Sequence, residues 1–288
     1  MSEIIDKTDP GDYFKDTSVA ENYDRYIGEN IPYYHSTVST ICDYVKNAYG
    51  QTASEKHAIE FGAGTANVSL ALIDRVGLAK VLLLDHSAGM LEAALRKVQE
   101  RGLAQGRVKT LRSPMLDRTW KSVDDFERPD IVLFHLSLDH VEHDADLSIF
   151  LSEIYQSMTI GGTLIIAEKC ANGANKASES WRSFEKMIDF RTQHMLNAGL
   201  MSDAQAGTWR QHLLEEDVLR PLATLWQFAE NAGFRVDDAY GAPLPEVESM
   251  SYESFYGTKI LQHLGSARTT LGQNGFGVGV LFCVKDEG

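Results

Sequence analysis

Cysteine is scarce in this chain, and long apolar runs are missing. Its 288 residues include three cysteines, Cys42, Cys170 and Cys283, which lie far apart and form no Cys-x-x-Cys pair. This usage excludes a disulfide framework and a zinc ribbon, and it indicates a reducing compartment. No apolar run reaches the length of a membrane span, and the acidic first residues do not have the layout of a signal peptide. We therefore expect a cytoplasmic protein with no membrane partner.

Basic residues are also in deficit. The chain has 27 Lys and Arg residues against 41 Asp and Glu residues, for a net charge of −14, and it contains no dense basic run. Such a negative field repels nucleic acid unless a local basic patch opposes it. The composition therefore favours a small-molecule substrate over a nucleic-acid partner.

Apolar runs alternate with helical segments through the middle of the chain. Strands are predicted at 56–61, 80–85, 107–112, 130–135 and 162–168, and helices at 66–76, 88–101 and 144–159. This alternation predicts βαβ units and a parallel sheet that is covered on both faces. Two further strands are predicted at 234–240 and 277–285.

The remaining segments suggest a cap and a lid. Residues 1–50 are predicted to form an N-terminal helical cap, with two helices divided at Pro32, and 51–288 the main domain. Two insertions follow, at 169–232, with two long helices that break near 199–203, and at 241–275, with a helix near 252–265. Both insertions begin at the carboxyl end of a predicted strand, where open α/β sheets bind ligands, so we expect them to roof a pocket.

Two glycines follow the first predicted strand. Gly62 and Gly64 have no Cβ, so the backbone can turn sharply there and approach a ligand closely. The free N–H groups of the next helix could bind a carboxylate or hydroxyl, although a plain tight turn is the alternative. A dinucleotide-binding loop needs Gly or Ala three places after the second glycine, and this position is Asn67. The pattern therefore argues against a dinucleotide.

An acid, Asp85, ends the second predicted strand. A carboxylate at this point can accept hydrogen bonds from both ribose hydroxyls of a nucleoside. The alternatives are a helix N-cap and an exposed acid. The spacing from Gly62 favours the ribose contact.

Several histidines follow the fourth predicted strand. His140 and His143 with Asp139 could suggest a metal site, but two histidines three residues apart are a weak signal, and no distant motif completes the set. We therefore expect no metal here and interpret both histidines as the polar start of a helix.

The segment from Glu60 to Ala66 resembles the first motif of the class I S-adenosylmethionine (SAM)-dependent methyltransferases, acid-x-Gly-x-Gly-x-Gly, with Ala66 in place of the last glycine. The resemblance covers about residues 20–170, and again the turn at 231–234 and the final strand. It implies an α/β, Rossmann-like seven-stranded sheet of order 3-2-1-4-5-7-6, with strand 7 antiparallel. It also implies SAM as cofactor, bound by Tyr34, Glu60, Gly62, Ala63, Gly64, Asp85, His86, Met90, Pro114 and Met115.

Within that superfamily, the chain is similar in layout to the carboxy-SAM synthase-like and related small-molecule methyltransferases. The similarity rests on Pro32-Tyr33-Tyr34 and on a lid helix before the turn at 231–234. An arginine of that lid binds a carboxylate in the synthases, which points to Arg210, with Arg191 as a second candidate for substrate binding. His135 is the candidate for the group that faces the acceptor, either as a general base or as a residue that positions the cofactor.

These observations predict methyl transfer from SAM to the oxygen, nitrogen or carbon of a small molecule, including one of secondary metabolism. One alternative keeps SAM but makes the enzyme carboxy-SAM synthase-like or tRNA-modifying. Another is a non-catalytic SAM-binding partner subunit. The apolar stretches in 209–230 could pack in the lid or against a second subunit, which leaves a homodimer open.

Overall fold

Within the part of the chain that the structure describes, the sheet contains eight strands. The computed structural model describes residues 20, 22–24, 27–28, 31, 33–171, 179–199, 201–243, 262–263 and 276–286. The strands are β1 (His57–Phe61), β2 (Lys80–Asp85), β3 (Val108–Arg112), β4 (Ile131–His135), β5 (Thr163–Ala171), β6 (Arg235–Pro243), β7 (Gln262–His263) and β8 (Phe276–Val284). Their spatial order is β3-β2-β1-β4-β5-β8-β6-β7.

The strand order confirms the predicted fold. Strands β1 to β5 are parallel to one another, and β8 is antiparallel to both of its neighbours, β5 and β6. The seven longer strands therefore have the predicted order 3-2-1-4-5-7-6, with β8 as strand 7. The two-residue strand β7 pairs with the outer edge of β6 and adds an eighth member that the sequence did not predict.

The described helices lie between and beyond the strands. They are α1 (Tyr34–Tyr49), α2 (Asn67–Arg75), α3 (Ala88–Glu100), α4 (Asp144–Ser157), α5 (Glu179–Asn197), α6 (Asp203–Gln211) and α7 (Leu222–Ala232). None of them is long and apolar enough to cross a bilayer.

The predicted lid differs from the structure in its second helix. The expected break near 199–203 is present. After it, α6 is followed by one π-helical turn (His212–Glu216), and extended chain then separates this turn from α7. Pro221 causes this second break, because a proline has no N–H to donate inside a helix and disfavours helical backbone in the residue before it. Pro221 takes the N-cap position of α7. The prediction of two long helices was therefore wrong.

Apolar side chains fill both faces of the sheet. Successive residues of a strand point to opposite faces, so Ile131 and Leu133 of β4 pack on one side and Val132 and Phe134 on the other. The first side is covered by α1, α2, α3, α5 and α6, and the second by α4 and α7. Each fully buried side chain of this kind contributes about 1.5–3 kcal/mol, so these two layers provide the main driving force for folding.

Helix α1 is fastened to the face of the sheet. The Tyr44 ring stacks on Phe282 with 3.9 Å between ring centroids, and the Tyr49 hydroxyl lies 2.9 Å from Thr163 Oγ1. The part of the predicted N-terminal cap that the structure describes therefore includes a helix that packs on the core. Pro32 lies outside the described residues. So does the helix expected near 252–265, except at Gln262 and His263, where the structure has strand β7 instead of a helix.

Candidate functional site

A sharp turn joins β1 to α2. Gly62 and Gly64 have φ angles of 66° and 52°, values that residues with a Cβ rarely adopt. A Cβ added to Gly62 would lie 2.5 Å from Ser137 Cβ, whereas one added to Gly64 would meet its nearest atom, Tyr23 Cε1, at 3.7 Å. Glycine at 62 thus allows the turn to pack against the loop after β4.

The Asp85 carboxylate ties this turn to the end of β2. Its Oδ2 accepts a hydrogen bond from the Gly64 N–H, and its Oδ1 accepts one from the Ser87 N–H, both at 2.8 Å. The carboxylate is therefore held in one orientation. Each of its oxygens keeps a further lone pair that can accept from a ligand.

A cavity of about 620 Å³ opens at the carboxyl ends of β1, β2, β3 and β4. It lies in the size range typical of small-molecule sites. Its apolar wall is formed by Leu84, Met90, Pro114, Met115, Leu116, Leu136 and Val141. Its polar lining includes Tyr23, Asp85, His86, Arg112, Ser113, Ser137, His140, Glu142, His143 and Asp146.

Most of the predicted cofactor residues line this cavity. They are Gly62, Gly64, Asp85, His86, Met90, Pro114 and Met115. Their contact with a cofactor stays a prediction. The structure shows that they share one wall, although they come from three separate strand ends.

Two other predicted cofactor residues, Glu60 and Ala63, lie behind that wall. Ala63 is 6% exposed, and its N–H donates to the Leu84 carbonyl at 3.0 Å. Glu60 is 3% exposed, and its carboxylate accepts from the N–H and hydroxyl of Ser69 in α2. Burial raises the pKa of Glu60 to about 7. Glu60 and Ala63 thus stabilise the turn from the protein interior and not from the cavity.

Among the described Tyr, Phe and Trp residues, Tyr23 lines the cavity, where the sequence had pointed to Tyr34. Tyr34 is 6% exposed, and its hydroxyl accepts a hydrogen bond from Asn67 Nδ2 at 2.9 Å. Burial raises the pKa of both tyrosines. Tyr34 is the first residue of α1 and its side chain is buried, so it is not part of the cavity wall.

The structure places His135, the predicted catalytic residue, away from the cavity wall. His135 ends β4 on the same face as Leu133, and its Nε2 lies 2.8 Å from Thr37 Oγ1 of α1. Burial lowers the pKa of His135 to about 3, so the imidazole is a weak base. This position does not support a general-base role. The alternation of side chains along β4 sets the position of His135, because it directs this side chain to the face that α1 covers.

Neither predicted substrate arginine reaches the cavity. Arg210 donates from Nε to Asp189 at 2.6 Å and from Nη2 to Glu185 at 3.1 Å, and both carboxylates belong to α5. The hydrogen bond with Asp189 is the main reason that the pKa of Arg210 is raised. Arg191 is 2% exposed within α5. Both lie in the helical lid, and no described residue of 179–232 lines the cavity.

The loop after β4 is held in a strained shape. Leu136 has a φ of 56° and forms part of the cavity wall. The next two N–H groups, of Ser137 and Leu138, both donate to Glu168 Oε1 at 2.8 Å. Burial and the nearby Asp139 carboxylate raise the pKa of Glu168. Strained non-glycine backbone is concentrated at functional sites, and here a buried acid imposes it.

A buried polar cluster adjoins this loop. Lys169 of β5 contacts two carboxylates, at 2.7 Å from Asp139 Oδ2 and closer still to Asp217 Oδ2. Two imidazoles face the same carboxylates: His140 Nδ1 lies 3.7 Å from Asp217 Oδ1, and His212 Nε2 lies 3.8 Å from it. We call these five residues the lysine cluster. The described part of the lid at 179–232 therefore covers the lysine cluster, through His212 and Asp217, and does not line the cavity.

Sequence reasoning missed most of this cluster. It weighed His140 with His143, yet His143 is exposed and lies near Glu142 instead. One signal was available, because Lys169 is a charged residue inside the apolar strand β5, and a buried lysine needs anionic partners.

The comparisons with known proteins agree with this fold. Residues 58–162 match the family model described as a methyltransferase domain. The carboxy-S-adenosyl-L-methionine synthase of Yersinia enterocolitica is 26% identical over 159 residues, which are 55% of this chain and 56% of that protein. The match thus spans little more than half the length of that relative.

Solved structures resemble the chain over a longer stretch at lower identity. Phosphoethanolamine N-methyltransferase 2 of Haemonchus contortus, in complex with phosphomonomethylethanolamine and S-adenosylhomocysteine, gives a TM-score of 0.58 at 16% identity over 97% of this chain and 60% of that one. The [4+2]-cyclase SpnF gives 0.52 at 14% identity over 86% of this chain and 81% of that one. Both support the fold alone. Residues 58–162 thus match a methyltransferase domain, and the strand order and the glycine turn are those of the class I SAM-dependent methyltransferase fold.

Proposed function

We propose that this chain binds SAM in the cavity at the ends of β1 to β4 and transfers its methyl group to a small-molecule acceptor. The observation that carries the proposal is the glycine turn, where Gly62 packs against Ser137 and the Gly64 N–H is bound by Asp85. This places a ligand-accessible backbone beside a fixed carboxylate, at the opening of a cavity of suitable size.

The residues of the cavity fit the parts of SAM. Asp85 has free lone pairs for the two ribose hydroxyls, and the apolar side chains of Met90 and Met115 suit the faces of an adenine ring. Gly62 and Gly64 line the cavity and carry no Cβ, so the backbone there can approach the ligand closely. When bound, SAM supplies a methyl group on a positively charged sulfur. The chain has to align that methyl group with the acceptor atom and exclude water.

The rim of the cavity favours an uncharged or cationic acceptor. Glu142 and Asp146 line it on the side of α4, while the cation on its wall, Arg112, donates from Nε to the His86 carbonyl at 3.1 Å. The predicted carboxylate ligands Arg191 and Arg210 lie elsewhere, as described above. An acceptor with an extra carboxylate would therefore meet a negative rim, which opposes its binding.

Replacement of Asp85 tests cofactor binding. We expect Asp85→Ala to weaken SAM and S-adenosylhomocysteine binding by roughly 10- to 100-fold in isothermal titration, because hydrogen bonds to a charged group contribute about 1.5–3 kcal/mol. Asp124→Ala, a change of the same kind at an exposed site outside the cavity, is the control and should bind as the wild type does. Equal affinity of Asp85→Ala and wild type would remove the basis of the proposal.

A product assay separates the proposed reaction from two alternatives. Incubation with SAM and fractionated small-molecule extracts should release S-adenosylhomocysteine together with a methylated product, both detected by mass spectrometry. The likeness to carboxy-SAM synthase makes SAM carboxylation the second candidate, and a carboxylated form of SAM would reveal it. Binding of SAM without any turnover would favour a non-catalytic partner subunit.

A further inference from the structure

The lysine cluster brings together donor atoms from distant parts of the chain. His140 comes from the 3₁₀ turn after β4, His212 from the π-helical turn after α6, and Asp217 from the extended segment before α7. One ring nitrogen of each histidine and one carboxylate oxygen of Asp217 lie within 4.8 Å of one another. Two of these separations, 3.7 Å and 3.8 Å to Asp217 Oδ1, are only a little longer than the roughly 3.3 Å between ligands of a tetrahedral Zn²⁺.

One of these donor atoms has no other use among the described residues. Asp217 Oδ1 accepts no hydrogen bond from them, and the side chain of Asp217 is 0% exposed. A buried carboxylate oxygen is normally hydrogen-bonded, paired with a cation or coordinated to a metal. Lys169 contacts the other oxygen, Oδ2, so Oδ1 remains directed toward the two imidazoles.

The charge of the cluster is also unbalanced. Among the described residues, Asp139 and Asp217 are two buried carboxylates that share one ammonium group, that of Lys169. Two carboxylates facing one ammonium leave one negative charge without a lysine partner, and buried charge of one sign is costly. A bound cation would offset it.

We propose that His140, His212 and Asp217 bind a divalent first-row transition metal ion. Two imidazoles and one carboxylate form a donor set typical of Zn²⁺, Fe²⁺ or Co²⁺, whereas Mg²⁺ and Ca²⁺ prefer oxygen ligands alone. Three protein ligands also leave a coordination position for a further molecule.

The surrounding residues suit such a site. Asp139 Oδ1 lies 3.9 Å from His140 Nε2, on the ring nitrogen opposite the one that faces Asp217. A carboxylate behind a metal-binding histidine orients the ring and strengthens its binding. Lys169 contacts both Asp139 and Asp217 and so fixes the position of one carboxylate relative to the other. Asp139 and Lys169 are thus positioning residues.

The site adjoins the cofactor cavity through His140, which belongs to both. A metal ion there would act as a Lewis acid that stabilises negative charge on an acceptor oxygen or nitrogen. This role rests on the proposed methyl transfer. The binding of the ion does not, and it can be tested without any turnover.

Metal uptake by tag-free protein tests the site. After dialysis against a chelator and then metal-free buffer, we expect the wild type to bind about one Zn²⁺ per chain in isothermal titration. Co²⁺, used as a spectroscopic probe, should give visible absorption bands from nitrogen and oxygen ligands. We expect Asp217→Asn and His212→Ala to weaken both uptakes by at least roughly tenfold, and Asp139→Asn to weaken them by roughly 10- to 100-fold.

His143→Ala is the matched control, since His143 lies three residues from His140 but is exposed and outside the cluster. It should bind metal as the wild type does. Circular dichroism and urea midpoints show which variants are folded. Wild-type protein that takes up no stoichiometric Zn²⁺ or Co²⁺ would overturn the proposal without any variant, as would equal loss in His143→Ala. SAM titrations on the same samples report on the proposed function separately.

Discussion

A single methyl group added at position 62 probes the contact on which the candidate site depends. In Gly62→Ala the new Cβ would lie 2.5 Å from Ser137 Cβ, and the backbone would have to hold a φ of 66°. Ser137 has little freedom to move, because its hydroxyl donates to the Phe61 carbonyl at 2.9 Å and its N–H donates to Glu168 at 2.8 Å. The substitution therefore strains the turn and the loop together.

Two contributions set the size of the effect. A left-handed backbone costs a residue with a Cβ about 1–2 kcal/mol, and overpacking in a filled interior costs about 1–3 kcal/mol. We therefore expect Gly62→Ala to lower the free energy of unfolding by about 2–5 kcal/mol, out of the 5–15 kcal/mol typical of folded proteins. SAM affinity should fall as well, because Ser137 and Leu136 form part of the cavity wall.

Urea denaturation measures this effect against a matched control. Gly199 has a φ of 65°, and a Cβ added there would meet nothing within 4 Å. Gly199→Ala should therefore show the backbone cost alone, about 1–2 kcal/mol. The difference between the two variants isolates the contact with Ser137. If Gly62→Ala were no less stable than Gly199→Ala, the packing of the turn against the loop would be refuted.

Two further predictions concern buried titratable groups. Burial raises the pKa of Glu60 from 4.5 to about 7, so its contribution to stability is present below pH 4.5 and is lost as the pH rises through 7. Between pH 5 and pH 8, the unfolding free energy of the wild type should therefore fall by about 2–3 kcal/mol relative to that of Glu60→Gln. An equal pH dependence of the two proteins would contradict this. Burial lowers the pKa of His135 from 6.5 to about 3, so its contribution is present above pH 6.5 and is lost as the pH falls through 3. Nuclear magnetic resonance should show this imidazole neutral at pH 5, and an imidazolium there would contradict its burial against Thr37.

Much of the fold was predictable because its signals are local. The strands β1 to β4 begin and end within one or two residues of their predicted positions, since each is a short apolar run between helical segments. The helix before Pro221 was not predicted correctly, although proline is a local signal, because the periodic apolar pattern on both sides of it continues.

The candidate site was likewise predictable only in part. Gly62, Gly64 and Asp85 were predicted as neighbours, and they share the cavity wall because the carboxyl ends of adjacent parallel strands meet at one edge of the sheet. The histidines after β4 that line the cavity are His140 and His143 rather than His135, and sequence alone did not distinguish them. The choice depends on which face of β4 is covered by α1, and the packing of α1 is a long-range contact.

The amino-acid order alone dictates the glycine turn and the acid that follows one strand later, because steric limits on φ and the alternation of a strand act over a few residues. Only the folded chain brings His212 and Asp217 to His140 and Lys169, from which they are 43 to 77 positions away in the sequence. Burial then decides the chemistry of these side chains, because the loss of water forces each charge to find a partner. No local pattern carries that information.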